Sequence, residues 1–172
     1  MKFKQPEEES PKKEGMSKEL HDGFVDLIQF EIDKLGMVCS AKYYFYETGQ
    51  MSYKKFFKYL YKQCEEVKWC MISFLKNSLE EVPQFKIPAI IPDFENAKEP
   101  FEKLAEMEDE FVEKLNSLID IAFSDRNWIA FHYLLKKIDT IDHLCCRALA
   151  AVENKADVLD LIPKCESHTS EK

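Results

Sequence analysis

Apolar residues recur at helical spacing through most of the chain. Phe24, Leu27, Ile28, Leu35, Val38 and Phe45 form one stripe, which predicts a helix from about Lys18 to Glu47. Thr48-Gly49-Gln50 breaks it. A second helix, rich in Tyr, Phe and Lys, is predicted from about Ser52 to Leu79. The segment Glu81–Glu99 carries Pro83, Pro88 and Pro92 and reads as an extended crossover, with Ile87-Pro88-Ala89-Ile90-Ile91 as a strand-like apolar piece. Pro100 suits the first position of a third helix, which runs to about Phe123. Ser124-Asp125-Arg126-Asn127 turns the chain into a fourth helix, predicted to run unbroken to about Asn154. Ala156–Ile162 suits a short C-terminal helix before Pro163. Residues 1–16 read as a charged flexible tail, 17–162 as one helical domain and 163–172 as a polar tail.

Two helical hairpins joined by one long connection predict an all-α four-helix bundle with a long crossover between helices two and three. Each long helix spans about 35–45 Å at its rise per residue. A crossover of about 18 residues reaches about 60 Å when extended, enough to run the length of the bundle.

Four carboxylates disturb the apolar pattern, one per predicted helix: Glu31, Glu66, Glu108 and Asp142. Glu31 lies 18 residues before Gly49 and Glu66 lies 17 after it, while Glu108 and Asp142 each lie 17 from Asp125. Helix rise therefore sets all four near mid-bundle. Glu31 falls on the heptad line of Phe24, Val38 and Phe45, and Glu108 on that of Phe101, Leu104, Phe111 and Leu115. Asp142 flanks a line through Leu134, Ile138, Ile141 and Cys145, whereas the phase of Glu66 is ambiguous because helix two is apolar on two adjacent stripes. A buried carboxylate is costly unless paired or bound to a cation. Four meeting in a bundle core form the arrangement of a carboxylate metal site.

Composition narrows the partners. The 172 residues carry a net charge of −8 and a pI near 5.1, which argues against nucleic acid or an anionic membrane. No apolar run approaches a membrane span, and the first residues lack an apolar signal core. The six cysteines include no Cys-x-x-Cys pair, so a reduced, cytoplasmic setting is expected. Cys145 fits a core line as a buried thiol, and His143 reads as a surface residue.

Several stretches carry a resemblance. They are Leu27-Ile28-Gln29-Phe30-Glu31, Lys42-Tyr43-Tyr44-Phe45, Phe56-Phe57-Lys58-Tyr59-Leu60 with Gln63-Cys64-Glu65-Glu66, Leu115-Asn116-Ser117-Leu118 after Glu108, and His132-Tyr133-Leu134. In order and spacing the chain resembles the ferritin family over nearly all of residues 20–155. That resemblance implies a ferritin-like bundle, oxidation of Fe(II) at a di-iron centre, and storage of Fe(III) mineral in a hollow shell of two dozen subunits. It matches Glu31 to the first-helix ligand, Glu66 to the bridging ligand and Glu108 to the third-helix ligand.

The chain departs from the family pattern at several positions. The family's Glu-Glu-x-x-His reads Glu65-Glu66-Val67-Lys68-Trp69 here, so Trp69 stands at the imidazole position, and an indole cannot ligate. The family's tyrosine near the iron is Val38. The fourth-helix oxygen position aligns to Asp142, to Asp139 with a shorter loop, or to Lys137 in a third register. The three-fold channel positions carry His132 and Leu135, and Tyr61, Cys64, Glu65 and Lys68 stand where mineral-nucleating acids are found.

The resemblance with these departures implies an iron-storage shell subunit with a weakened or absent ferroxidase centre, binding at most one iron per subunit. The shell would form by self-association or by co-assembly with active ferritin subunits, with Ile87, Ile90 and Ile91 as the dimer contact. Two alternatives stay open: an active iron oxidase with altered ligation through Glu31, Glu66, Glu108 and Asp142, and a ferritin-derived shell that no longer handles iron.

Overall fold

A computed structural model describes residues 16–79 and 83–163 of the chain. The elements are α1 (Lys18–Glu47), α2 (Met51–Leu79), α3 (Glu99–Ser124), α4 (Trp128–Ile138), α5 (Leu144–Glu153) and a 3-10 turn at Val158–Leu161. Of the predicted tails, 1–16 and 163–172, all but Met16 and Pro163 lie outside the described residues.

Local chemistry sets the ends. Ser17 Oγ accepts the Leu20 N–H at 3.1 Å and starts α1. Gly49, at φ 73°, turns the chain into α2. Pro100 sits in the first turn of α3, preceded by Asn96, whose Oδ1 accepts the Lys98 and Glu99 N–H groups. Asn127 caps α4 through Ala130 N–H at 3.1 Å. The Ser17 hydroxyl also donates to Asp125, tying the start of α1 to the α3–α4 corner.

α1 packs against α2 and α3, and α3 packs against α4 and α5 in turn. A parallel stack of Phe74 and Tyr133, with ring centres 4.0 Å apart, joins α2 to α4. The core falls into two apolar halves. One gathers Val38, Phe45, Phe56, Phe57, Phe101 and Ala148; the other gathers Phe24, Ile28, Met71, Leu75, Leu115 and Leu134. Between them lie the buried charged residues Glu31, Lys34 and Glu108.

The crossover runs alongside α1 and in the same direction. The Gln29 amide brackets Lys86, donating to its carbonyl at 3.0 Å and accepting its N–H at 2.9 Å. Further on, Ile91 N–H donates to Ser40 Oγ at 3.0 Å and Phe94 meets Tyr44 edge-on. Side chains of α1 thus take backbone bonds that a strand partner would otherwise satisfy. The strand-like piece is extended and pairs with no strand among the described residues.

The fourth helix differs from expectation. It is not continuous to Asn154: it stops at Ile138 and restarts at Leu144. The expected C-terminal helix at Ala156–Ile162 is the shorter 3-10 turn.

Two glycines of α1 show how tightly it is gripped. A Cβ on Gly36 would stand 2.3 Å from the ring of Pro88, and one on Gly23 would stand 2.4 Å from the flexible end of Leu118. Gly36→Ala is expected to lose about 1–2 kcal/mol in urea unfolding, because overpacking against a rigid ring exceeds the roughly 1 kcal/mol of helix propensity gained. Gly23→Ala is expected to stay within about 0.5 kcal/mol of wild type. Equal effects at the two positions would contradict a close seat for Pro88.

Candidate functional site

The charged layer opens onto a mid-bundle cavity of about 200 Å³. Glu31 and Lys34 reach it from α1, Tyr59, Gln63, Cys64 and Val67 from α2, and Glu108 and Phe111 from α3. Lys137, Thr140, Ile141, Asp142 and Leu144 close the fourth side, at the break between α4 and α5.

Glu31 and Lys34 are one helical turn apart on the buried stripe of α1. They are 1% and 7% exposed, and Lys34 Nζ stands 3.8 Å from Glu31 Oε1. The ammonium also lies 5.7 Å from the centre of the Phe111 ring. Glu31 Oε2 has no hydrogen-bond partner among the described residues. Burial pushes the Glu31 carboxyl above its ordinary range; Lys34 pulls it back and Glu108 adds to the rise. Burial works against the Lys34 ammonium, but Glu31 and then Cys64, Cys145 and Glu108 more than offset it and hold the group above its usual value. Burial pushes the Cys64 thiol up to about 12, so Cys64 is neutral beside the pair at physiological pH. Lys34 is thus a fixed positive charge facing two carboxylates.

Glu108 is committed elsewhere as well. Its Oε1 accepts the Cys145 N–H and its Oε2 the Cys146 N–H, both at 3.1 Å. Asp142 Oδ1 accepts the Leu144 N–H at 3.1 Å, and Arg147 N–H donates to the His143 carbonyl. Three of these bonds satisfy the N–H groups of Leu144, Cys145 and Cys146, which the first turn of a helix leaves free, and the fourth is the first bond within α5. The dipole of α5 also favours a negative charge at that end. This is the physical reason for the break: two carboxylates are placed to cap a new helix at Leu144. Thr140 Oγ1, donating to the Lys137 carbonyl at 2.7 Å, ends the old one.

The residues singled out from sequence therefore separate. Glu31 and Glu108 meet at the cavity. Asp142 lies at its rim, exposed, with Oδ2 3.8 Å from Arg147. Asp139 is exposed at the end of α4 and does not line the cavity. Glu66 and Trp69 are exposed on the outer face of α2, with Lys68 Nζ 4.7 Å from the Trp69 ring centre. Val38 is fully buried in the apolar core.

The expectation for α2 is corrected by its buried line, Phe56, Leu60, Cys64, Met71 and Leu75. Two residues on from Cys64, Glu66 stands about 200° around the helix and faces away. From α2 it is Tyr59, Leu60, Gln63, Cys64 and Val67 that line the cavity. Lys34, Cys64 and Val67 were missed from sequence. The available signal for Lys34 was a lysine three residues after Glu31 on the same apolar stripe.

Lys34→Met leaves the buried Glu31 carboxyl without its counter-charge. The expected loss is about 3–5 kcal/mol near neutral pH, read by urea unfolding. Burial holds the Glu31 carboxyl above its ordinary 4.5 in the folded protein. The folded state therefore binds the extra proton in that window, and stability falls as pH rises through it. The penalty of Lys34→Met is expected to be smallest near pH 4.5 and to grow towards neutrality. Adding Glu31→Gln is expected to recover most of the loss. A Lys34→Met protein as stable as wild type at neutral pH would contradict the pairing.

No family model and no curated protein matches the chain in sequence. Solved structures match it in shape. An open-pore ferritin from the hyperthermophilic archaeon Archaeoglobus fulgidus superposes with a TM-score of 0.69 over 86% of this chain and 85% of its own, at 16% identity. A Chlorobium tepidum ferritin gives 0.70 over 84% and 88%, at 18% identity. A PmFTN variant soaked in iron gives 0.70 over 80% and 90%, at 16% identity. The chain has the ferritin fold.

Proposed function

We propose that this chain is a ferritin-like subunit of an iron-storage shell that lacks an iron-oxidising centre, the Lys34 ammonium standing where a metal would. The observation that carries this reading is the buried Lys34–Glu31 pair facing Glu108. Two iron ions held by carboxylates and imidazole need open oxygen and nitrogen donors on several helices. Here α2 offers the Tyr59 hydroxyl and the Gln63 amide beside a neutral thiol but no carboxylate, and no imidazole lines the cavity among the described residues. This donor set does not fit a di-iron centre. Lys137 lines the same cavity and adds a second positive charge against cation entry.

What remains is the scaffold. The crossover presents Ile87, Ile90 and Ile91 at 92%, 50% and 63% exposure, an apolar edge along α1 suited to a two-fold contact between copies. Assembly with itself or with active ferritin subunits would give the chain a place in a shell whose iron is oxidised elsewhere. No described helix is long and apolar enough to cross a membrane, and we place the protein in the cytoplasm. The purified protein is expected to sediment as a large assembly, and Ile87→Asp with Ile91→Asp to yield small species. A wild-type monomer that also fails to co-assemble with an active ferritin would remove the shell reading.

Iron chemistry is tested by Fe(II) oxidation under air. Wild type is expected to match the protein-free rate, and so is Trp69→His, because position 69 is on the outer face. Lys34→Ala combined with Cys64→Glu and Val67→His places a carboxylate and an imidazole on the cavity side of α2 and removes the ammonium. This variant is expected to exceed the background rate at least about 10-fold, within the several kcal/mol a positioned metal site supplies. Rapid oxidation by wild type would overturn the proposal.

A further inference from the structure

On the outer side of the α4–α5 break, a second group of side chains converges. The ligand atoms of Glu108, His143 and Cys146 all lie within 4.8 Å of one another. Asp109 adds a carboxylate oxygen 3.8 Å from Cys146 Sγ. His143 and Cys146 are three residues apart in a His-x-x-Cys spacing, with His143 just before α5 and Cys146 in its first turn. A spacing of this length sets both side chains on one side of a helix start. His143 is in the left-handed region at φ 51°. The elements bringing the set together, α3 and the loop into α5, are far apart in sequence.

We infer that Glu108, His143 and Cys146, assisted by Asp109, form a binding site for a zinc-class divalent cation that clamps the break between α4 and α5. Thiolate, imidazole and carboxylate together select a borderline cation over the hard ions that prefer oxygen alone. Neighbouring ligands on a tetrahedral zinc lie about 3.3–3.8 Å apart, from bond lengths of roughly 2.0–2.3 Å. His143 is exposed at the start of α5, so its ring is free to turn towards the other two ligands. Glu108 accepts two N–H bonds but a carboxylate offers about four lone-pair sites, so it keeps room for a metal bond. On binding, the cation replaces the Cys146 thiol proton, which leaves to solvent. The site shares Glu108 with the Lys34 cavity but does not rest on the shell reading, because its test reads Zn(II) binding and not assembly or iron oxidation.

The test uses the full chain, stripped with chelator and titrated with Zn(II) and, separately, Co(II). One Zn(II) per chain is expected, with a rise in melting temperature. Co(II) is expected to give a thiolate-to-metal charge-transfer band in the near ultraviolet. Cys146→Ser is expected to abolish that band. Both Cys146→Ser and His143→Asn, which tolerates the left-handed backbone, are expected to weaken Zn(II) more than about 100-fold, beyond the cost of losing a supporting contact. Cys70→Ser, exposed on α2 and outside the cluster, is expected to change nothing. Absence of stoichiometric binding, a cobalt spectrum without the thiolate band, or His143 and Cys146 variants that bind Zn(II) as tightly as wild type would each overturn the site.

Discussion

A carboxylate inside a helical bundle must find positive charge, and the centre of this protein is organised by how two of them do so. Glu31 and Glu108 interrupt an otherwise apolar core at mid-height. In a metal-binding bundle, cations from outside would neutralise such a layer. Here the compensation is internal. Lys34 supplies an ammonium from one turn away, and the amide end of α5 supplies a half-charge and two hydrogen bonds to Glu108. A tethered cation cannot dissociate, which supports the proposal that Glu31 is paired without iron.

The shape of the fourth side follows from that solution. A continuous helix through Asp139–His143 would have no free N–H groups to offer Glu108. Breaking it at mid-bundle exposes the first turn of α5 to the buried acid and to Asp142 at the same time. The irregular segment therefore sits at the height of the charged layer because the layer uses it. The same break lowers His143 and Cys146 towards Glu108, so the residues that settle one carboxylate also bring a new donor set to its outer side.

The architecture was legible from periodicity. The stripes of α1 and α3, the stop at Gly49, Pro100 at a helix start and a proline-rich crossover between two hairpins all appear as the sequence indicated. The heights of Glu31 and Glu108 also followed, because helix rise is invariant. The facing of α2 did not. It is apolar on two adjacent stripes, and aligning its Glu-Glu pair by resemblance placed Glu66 inward when the core line runs through Cys64. The break after Ile138 was hidden for a different reason: its cause is a contact from Glu108, nearly forty residues away in sequence, and local pattern carries no trace of it. Lys34 shows in the sequence only as a lysine one turn from Glu31, a spacing that on most helices is a solvated pair.

The central claim is that the Lys34 ammonium, and not iron, is the counter-charge of Glu31 at mid-bundle. Crystals soaked anaerobically with Fe(II) and measured at the iron absorption edge test it directly. The account predicts no anomalous peak within bonding distance of Glu31 and continuous density for Lys34 reaching Glu31 Oε1. An iron ion bound between Glu31 and Glu108, with Lys34 displaced from the cavity, would contradict it.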